Sequence, residues 1–221
     1  MVSRLASYVR QQMESGSTGF RMAIDGKDAA GKTTLADHLA SALVGGPREV
    51  VRAGIDGWHN PEEVRYKRGR LSPVGYYKDS FDLPLLRREL LDPLGPTGSN
   101  EYRLARFDHH TDSRVDHGTR KVIRPTVLIF DGVFLLRPEL ADCWELSIYV
   151  FVPPEVSIQR GIERDSLMMG GDKEAEDRYR HRYLPGQALY EAEVSPTSVA
   201  DVVVDNSDFQ HPVIIKFPGL A

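Results

Sequence analysis

Apolar residues recur at two spacings along this chain, and the alternation of the two sets out its architecture. At residues 2–14, Val2, Leu5, Ala6, Val9 and Met13 fall on one helical face, with Arg4, Arg10, Gln11 and Glu14 elsewhere. This predicts a packing helix, broken by Ser15-Gly16-Ser17-Thr18-Gly19. Phe20 to Ile24 is a short apolar run expected to be a buried strand, and Thr34 to Leu43 follows at helical spacing, rich in Ala and Leu. Gly45-Gly46-Pro47 stops that helix, and Glu49 to Ile55 reads as a second strand. Phe81 to Leu91 is expected to be helical through Leu83, Leu86, Leu90 and Leu91. After the turn-rich stretch to Asn100, Glu101 to Phe107 alternates as a strand would. Thr126 to Phe130 is the most apolar strand, so it should be central and covered on both faces. Leu146 to Val152 is a strand closed by Pro153-Pro154, a helix runs from Glu155 to about Asp165, and Leu167 to Asp172 breaks it. Ala200 to Asp205 is the last strand, before a short tail. Strands alternating with helices mean an α/β fold with a parallel five-stranded sheet flanked by helices. No linker marks a second domain, so residues 1–221 are expected to form one unit, its core over about 20–207.

Composition narrows the function classes. The chain has 221 residues, 41% hydrophobic and 27% charged, ordinary values for a soluble globular protein. The net charge of -4 argues against nucleic acid or a membrane surface as partner. Cys143 is the single cysteine, which fits a reducing compartment and a buried, inert thiol. No apolar run approaches the about 20 residues of a spanning helix, and the N-terminus lacks a signal peptide's apolar core. A cytoplasmic location is the expectation, with a homo-oligomer left open.

The chemistry begins at Gly26-Lys27-Asp28-Ala29-Ala30-Gly31-Lys32-Thr33-Thr34, a G-x-x-x-x-G-K-T pattern on a strand-to-helix turn. Glycines let the main chain approach a phosphate closely. The loop N–H groups and the helix N-terminus then favour the anion. Lys32 would reach the β/γ-phosphates and Thr33 would put its hydroxyl on Mg²⁺. Asp131-Gly132, at the end of the most apolar strand, supplies the carboxylate that such a loop demands near the metal. Asp56-Gly57 ends the second strand, where parallel sheets collect ligands, although Asp-Gly is also a common turn pair. Residues 62–80 mix Arg65, Lys67, Arg68, Arg70 and Lys78 with Tyr66, Tyr76 and Tyr77. They suit a loop covering an anionic ligand or a solvated surface better than a nucleic-acid site. Asp108-His109-His110-Thr111-Asp112 fits no zinc or calcium spacing and reads as a substrate-facing loop. Arg160 and Arg164 lie one helical turn apart, and residues 173–183, with Arg178, Arg180 and Arg182, suit a lid closing arginines on phosphates.

The order of these signatures resembles the uridine kinase family and its relatives, bacterial pantothenate kinase and phosphoribulokinase. The likeness is carried by the P-loop, Asp56-Gly57-Trp58-His59, Asp79-Ser80-Phe81-Asp82, Phe130-Asp131-Gly132, Arg160 to Asp165 and Ala200 to Val204. It covers about residues 20–207. It implies a P-loop NTPase fold with a lid, ATP and Mg²⁺ as cofactors, and transfer of the γ-phosphoryl group to a small-molecule hydroxyl acceptor. Uridine, cytidine or a related nucleoside is the acceptor implied first, pantothenate or a sugar the alternative. A nucleotide-hydrolysing switch is the reading from another class, and the tyrosine-rich segment at 66–77 favours a closed substrate pocket over it. Under the resemblance Asp56 is the base toward the acceptor hydroxyl, beside Lys32, Arg160 and Arg164 as catalytic groups. Thr33 and Asp131 hold the metal, and Asp56, His59, Tyr76, Tyr77 and His109 face the acceptor. Two departures stand out. Tyr76 replaces an aspartate that helps hold the sugar in uridine kinases, and Gly170-Gly171-Asp172 lacks the lid loop's arginine.

Overall fold

The computed structural model describes residues 1–13, 18–123 and 125–218. The break expected at Ser15 to Ser17 therefore lies outside the described residues. Helix α1 (Val2–Met13) leads into strand β1 (Gly19–Gly26), the P-loop and helix α2 (Lys32–Leu43). Strand β2 (Glu49–Gly54) ends in a single 3₁₀ turn, Ile55–Trp58, and the short helices α3 (Glu62–Arg65), α4 (Pro73–Asp79) and α5 (Leu83–Leu86) follow. Asp82 starts α5 by accepting from the Leu85 N–H at 3.0 Å, and α5 passes directly into a wide turn at Arg87–Leu91. The strand expected over Glu101 to Phe107 is instead split between two small antiparallel ribbons. These pair β3 (Glu101–Tyr102) with β6 (Arg120–Lys121) and β4 (Phe107–Asp108) with β5 (Ser113–Arg114). Strands β7 (Thr126–Gly132) and β8 (Leu146–Phe151) lead to helix α6 (Pro154–Met169). Helices α7 (Asp172–Arg178), α8 (Leu184–Val194) and α9 (Pro196–Val199) precede β9 (Val202–Asp205) and β10 (Val213–Lys216).

The main sheet runs β10-β9-β8-β1-β7-β2. Its five strands from β9 to β2 are parallel, as the alternation of strands and helices predicts. A sixth, β10, pairs antiparallel on the β9 edge, where the sequence reads as a short tail. Its Val213 and Ile215 are exposed, so it carries no buried-strand pattern to be recognised. The helix from Glu155 also runs four residues past Asp165 and stops at Gly170, whose φ of 100° only a residue without a Cβ adopts easily.

Successive side chains of a strand point to opposite faces. Met22, Ile24, Val127 and Ile129 therefore pack with Leu5, Val9, Leu35 and Leu39 of α1 and α2. Ala23, Leu128 and Phe130 pack on the other face with Leu86, Leu90, Tyr77 and Tyr190. Each large apolar side chain so buried contributes about 1.5–3 kcal/mol. The rigid sheet thus fixes the carboxyl ends of β1, β7 and β2 side by side, and the loops that leave those ends build the site.

Candidate active site

The P-loop geometry follows from two close approaches. Gly26 has φ 150°, and a Cβ there would sit 2.4 Å from the Val150 carbonyl oxygen on the neighbouring strand. Gly31 has φ 91°, and a Cβ would sit 2.5 Å from Asn206 Nδ2, which donates to the Ala30 carbonyl at 2.7 Å. Ala29 also takes a left-handed conformation, φ 55°. Helix α2 starts at Lys32 with no side-chain cap at Gly31, leaving its first N–H groups to a ligand. Lys32 is buried, and its ammonium donates to the Lys27 carbonyl at 2.6 Å. The Lys27 side chain itself turns away to an ion pair with Glu191, so only its main chain belongs to the loop.

A cleft of about 490 Å³ opens over this loop. Asp28, Ala29, Lys32 and Thr33 line it from the P-loop, Asp56 and His59 from the β2 end, Asp131 from β7, and Arg164 from α6. Thr33 Oγ1 donates to Asp131 Oδ2 at 2.6 Å, so the two expected metal-holding groups do converge. The other carboxylate oxygen is held by Arg52 Nη1 at 2.7 Å, and Arg52 Nε also binds Asp37 at 2.9 Å. Arg52 is a site residue that the sequence does not reveal, because inside a strand it reads as a surface position. Two oxygens on adjacent elements, one hydroxyl and one carboxylate, are hard donors of the kind Mg²⁺ takes with water and phosphate completing its shell.

Asp56 lies exposed at the cleft, but the second strand, expected from its place in the chain to lie beside the P-loop strand, does not. β7 lies between β1 and β2, so Asp56 is not on a strand adjoining the P-loop strand. It reaches the cleft because it sits in the 3₁₀ turn beyond the strand end. His59 Nδ1 is 2.9 Å from the Asp56 carbonyl oxygen, and the His59 ring stacks on His109 at 4.7 Å and leans on Phe81 at 4.6 Å. Burial pushes the His59 imidazole down to about 4 and holds His109 below its ordinary value, so both are neutral near pH 7. His109 and His110 both line the cleft, as the substrate-facing reading of that loop requires. The neighbouring carboxylates are engaged elsewhere. Asp108 accepts from His110 N and Thr111, and Asp112 from Arg65 and the Glu62 N–H. Among the described residues no cluster of His, Cys, Asp or Glu could hold a metal ion by itself.

Tyr76 lines the cleft and donates to Asp28 Oδ2 at 2.6 Å; Gln187 donates to the same oxygen. Burial raises the Asp28 carboxyl above its usual value, and Lys32 and the Tyr76 hydroxyl pull it back. Tyr77, expected beside it at the acceptor, is not in the cleft. Adjacent helical residues project about 100° apart. Tyr77 is buried in the core against Phe134, with the Arg137 guanidinium over its ring at 4.7 Å.

The lid arginines also divide. Arg164 lines the cleft and makes a two-pronged bond to Asp165 at 2.7 and 2.9 Å, while Tyr179 donates to Asp165 at 2.8 Å. Arg160, one turn earlier, faces a different place. It donates to the Asn206 and Ser207 carbonyls at 3.0 and 2.9 Å and lines a second cleft with Gly31, Thr34, Val204, Phe209 and Pro212. The first turns of α6 pass over the loop after β9, which draws Arg160 to it. Arg178 of the predicted lid does line the main cleft, but Arg180 pairs with Glu155 and Glu176 instead. No helix among the described residues is long and apolar enough to cross a membrane.

Comparison with known proteins bears on this arrangement. Among solved structures, a possible uridine kinase from Bacillus stearothermophilus superposes with TM-score 0.68 at 23% identity, covering 90% of this chain and 96% of that one. A "putative fructose transport system kinase" from Silicibacter sp. TM1040 gives TM-score 0.73 at 23% identity, covering 88% and 95%. D-glycerate 3-kinase from Cryptococcus neoformans gives 0.60 at 11%, covering 97% and 99%. At such identities these likenesses concern the fold. No curated protein sequence matches. The sequence pattern of one kinase family, however, matches residues 22–207, from the P-loop strand to the loop after β9: the chain belongs to the phosphoribulokinase / uridine kinase family.

Proposed function

We propose that this protein transfers the γ-phosphoryl group of ATP to a hydroxyl of a small molecule. The observation that carries the reading is that Lys32, Thr33, Asp131, Arg164 and Asp56 line one cleft. Such transfers need positioning and charge neutralisation above all. Lys32, Arg164 and Arg178 neutralise the developing phosphoryl charge. Thr33 and Asp131 would hold Mg²⁺, which when bound would supply positive charge to offset that of the phosphates. Asp56 accepts the hydroxyl proton, and His59, braced by His109 and Phe81, helps position that hydroxyl. The second cleft, of about 670 Å³ and mixed apolar and cationic lining, adjoins the P-loop at Gly31 and Thr34 and suits the nucleotide base, with Arg160 beside it. The protein would act in the cytoplasm, without nucleic acid or membrane as partner.

A nucleoside acceptor such as uridine or cytidine finds flat partners in the rings of His59, His109 and Phe81. A ribose diol would want a second carboxylate, however, and Tyr76 stands where the resemblance would have one, its hydroxyl engaged by Asp28. The acceptor is therefore left here as a small hydroxyl compound. The test is ADP release with Mg²⁺·ATP against a panel of nucleosides, sugars and hydroxy acids. A kinase shows ADP formation that depends on one acceptor class and yields its phosphate ester. Release at one rate with every acceptor and with none would instead favour a nucleotide-hydrolysing switch.

A further inference from the structure

On the acceptor side of the cleft, one cation differs from the rest. The lining carries five, Lys32, Arg65, Arg164, Arg178 and Arg182, against four carboxylates, Asp28, Asp56, Asp131 and Asp165. Lys32, Arg164 and Arg178 belong with the phosphates. Arg182 is turned inward, donating to the Arg70 and Ser72 carbonyls at 3.0 and 3.3 Å and lying over the Tyr66 and Tyr76 rings. Arg65 is 8% exposed and sits on α3, near the His59–His109 stack. One nitrogen, Nη2, binds Asp112 at 2.6 Å. Its Nε, fully buried, has no hydrogen-bond partner among the described residues. A buried charged donor left without a partner costs about 1–3 kcal/mol or more, so its retention at a ligand cleft needs a reason.

We propose that the acceptor carries an anionic group, a carboxylate or a phosphate monoester, bound by the guanidinium of Arg65, which lines the cleft with only Nη2 hydrogen-bonded among the described residues. This rests on the kinase reading above and narrows its acceptor to hydroxy acids and sugar phosphates, as against neutral nucleosides and sugars. Guanidinium edges bind such groups with charge-assisted hydrogen bonds of matched geometry. The neutral imidazoles of His59 and His109 add no competing charge, and Asp56, exposed at the cleft, is left for the hydroxyl.

Binding without ATP, measured by calorimetry and thermal shift on the full chain, tests this apart from turnover. Matched pairs serve as probes: glycerate against glycerol, pantothenate against its alcohol, ribose 5-phosphate against ribose, uridine monophosphate against uridine. The expected result is that anionic members of one pair type bind about 10- to 100-fold tighter than their neutral partners, the size of a charged hydrogen bond. The carboxylate and phosphate arms decide which source the site takes. Arg65→Gln should abolish the preference while leaving ATP affinity unchanged, and Arg65→Lys, which keeps the charge but not the planar guanidinium, should recover only part of it. Asp112→Asn controls for a purely structural role of the ion pair, and under the proposal it keeps or strengthens the anion preference. Equal binding within every pair, no binding by any anionic member, or a preference that survives Arg65→Gln overturns the proposal. So does loss of the preference in Asp112→Asn to the same degree as in Arg65→Gln. The kinase reading stands or falls separately, on acceptor-dependent ADP release.

Discussion

Tyr76→Phe removes one oxygen from the contact that joins the P-loop to helix α4. That hydroxyl donates to Asp28 at 2.6 Å, and Asp28 is half-buried at the cleft. A hydrogen bond to a charged group is worth about 1.5–3 kcal/mol. Without it the Asp28 carboxylate keeps the Gln187 amide and the nearby Lys32 charge. For a chain of this size about 1 kcal/mol moves Tm by roughly 2–4 °C, so the variant should melt roughly 3–10 °C lower. The pH dependence gives the sign. Burial raises the Asp28 pKa above the ordinary aspartate value, so the ionised carboxylate weakens the fold increasingly as pH rises from that value through the folded pKa. The Tyr76 bond lessens this weakening, and its loss raises the pKa further. The gap in Tm between wild type and Tyr76→Phe is therefore widest above the folded pKa of Asp28 and closes as pH falls below it, where the folded acid is protonated in both proteins. Scanning calorimetry across this range measures it directly. A Tm within about 1 °C of wild type at neutral pH, or a gap that widens toward acid, would refute the reasoning. Because Asp28 belongs to the P-loop, the change should also raise KM for ATP and acceptor together, not for the acceptor alone.

Lys32→Ala should leave Tm near the wild-type value and abolish phosphoryl transfer; turnover at the wild-type rate would remove the P-loop from the reaction. Asp56→Asn should lower kcat by about 10²–10⁴-fold while ATP–Mg²⁺ affinity changes far less; a kcat within a few-fold of wild type would take Asp56 out of proton transfer. Since the folded His59 takes a proton only near 4 and the unfolded one near 6.5, stability should be full above 6.5 and fall as pH drops toward 4, by at most about 3 kcal/mol. Denaturant titrations of His59→Gln should show that slope flattened, and an unchanged slope would count against the burial of the imidazole. In Gly161→Ala the new methyl would lie 2.0 Å from the Tyr179 ring. The overpacking cost of about 1–3 kcal/mol outweighs the helix-propensity gain of up to about 1, and a more stable variant by thermal melt would show that the turn after α7, which carries Tyr179, can give way.

The chain's period-2 and period-3.6 runs announce the core because burial selects residue types at those positions. Thr126 to Phe130 was legible as a strand covered on both faces for that reason, and β7 is buried along its length, although it lies one strand in from the β2 edge and β1 lies nearer the middle of the sheet. The P-loop was legible because its glycines answer to backbone conformation, which is local. What stayed hidden depends on contacts distant in sequence. Arg52 becomes part of the site only through Asp131, 79 positions on, which no local pattern marks. Tyr76 and Tyr77 are identical as letters, and only the start of α4 decides which one faces the cleft. Arg160 and Arg164 share a helix face, yet the loop after β9 draws one of them off to a second cleft. The edge strand β10 was illegible because two of its residues point to solvent and bury nothing.

The charged groups of the cleft are mostly paired already, and this bears on how a ligand can bind there. Lys32 rests on the Lys27 carbonyl, Asp131 on Thr33 and Arg52, and Arg164 on Asp165. Unpaired charges enclosed in a fold cost several kcal/mol each, so a cleft with five cations needs these partners to persist without phosphates. Nucleotide binding then exchanges bonds more than it adds them. Each exchange is worth the modest net of about 0.5–1.5 kcal/mol, not the gross 4–6 of an isolated bond. Affinity must accordingly come from many loop N–H contacts together and from groups outside the pairing scheme. Among the described residues two such cations line the cleft: Arg178, half-buried with no ion pair, and Arg65, hydrogen-bonded through Nη2 alone. One lies on helix α7 and the other on α3. A ligand gains most in the space between them, where a phosphoryl group passes from one substrate to the other.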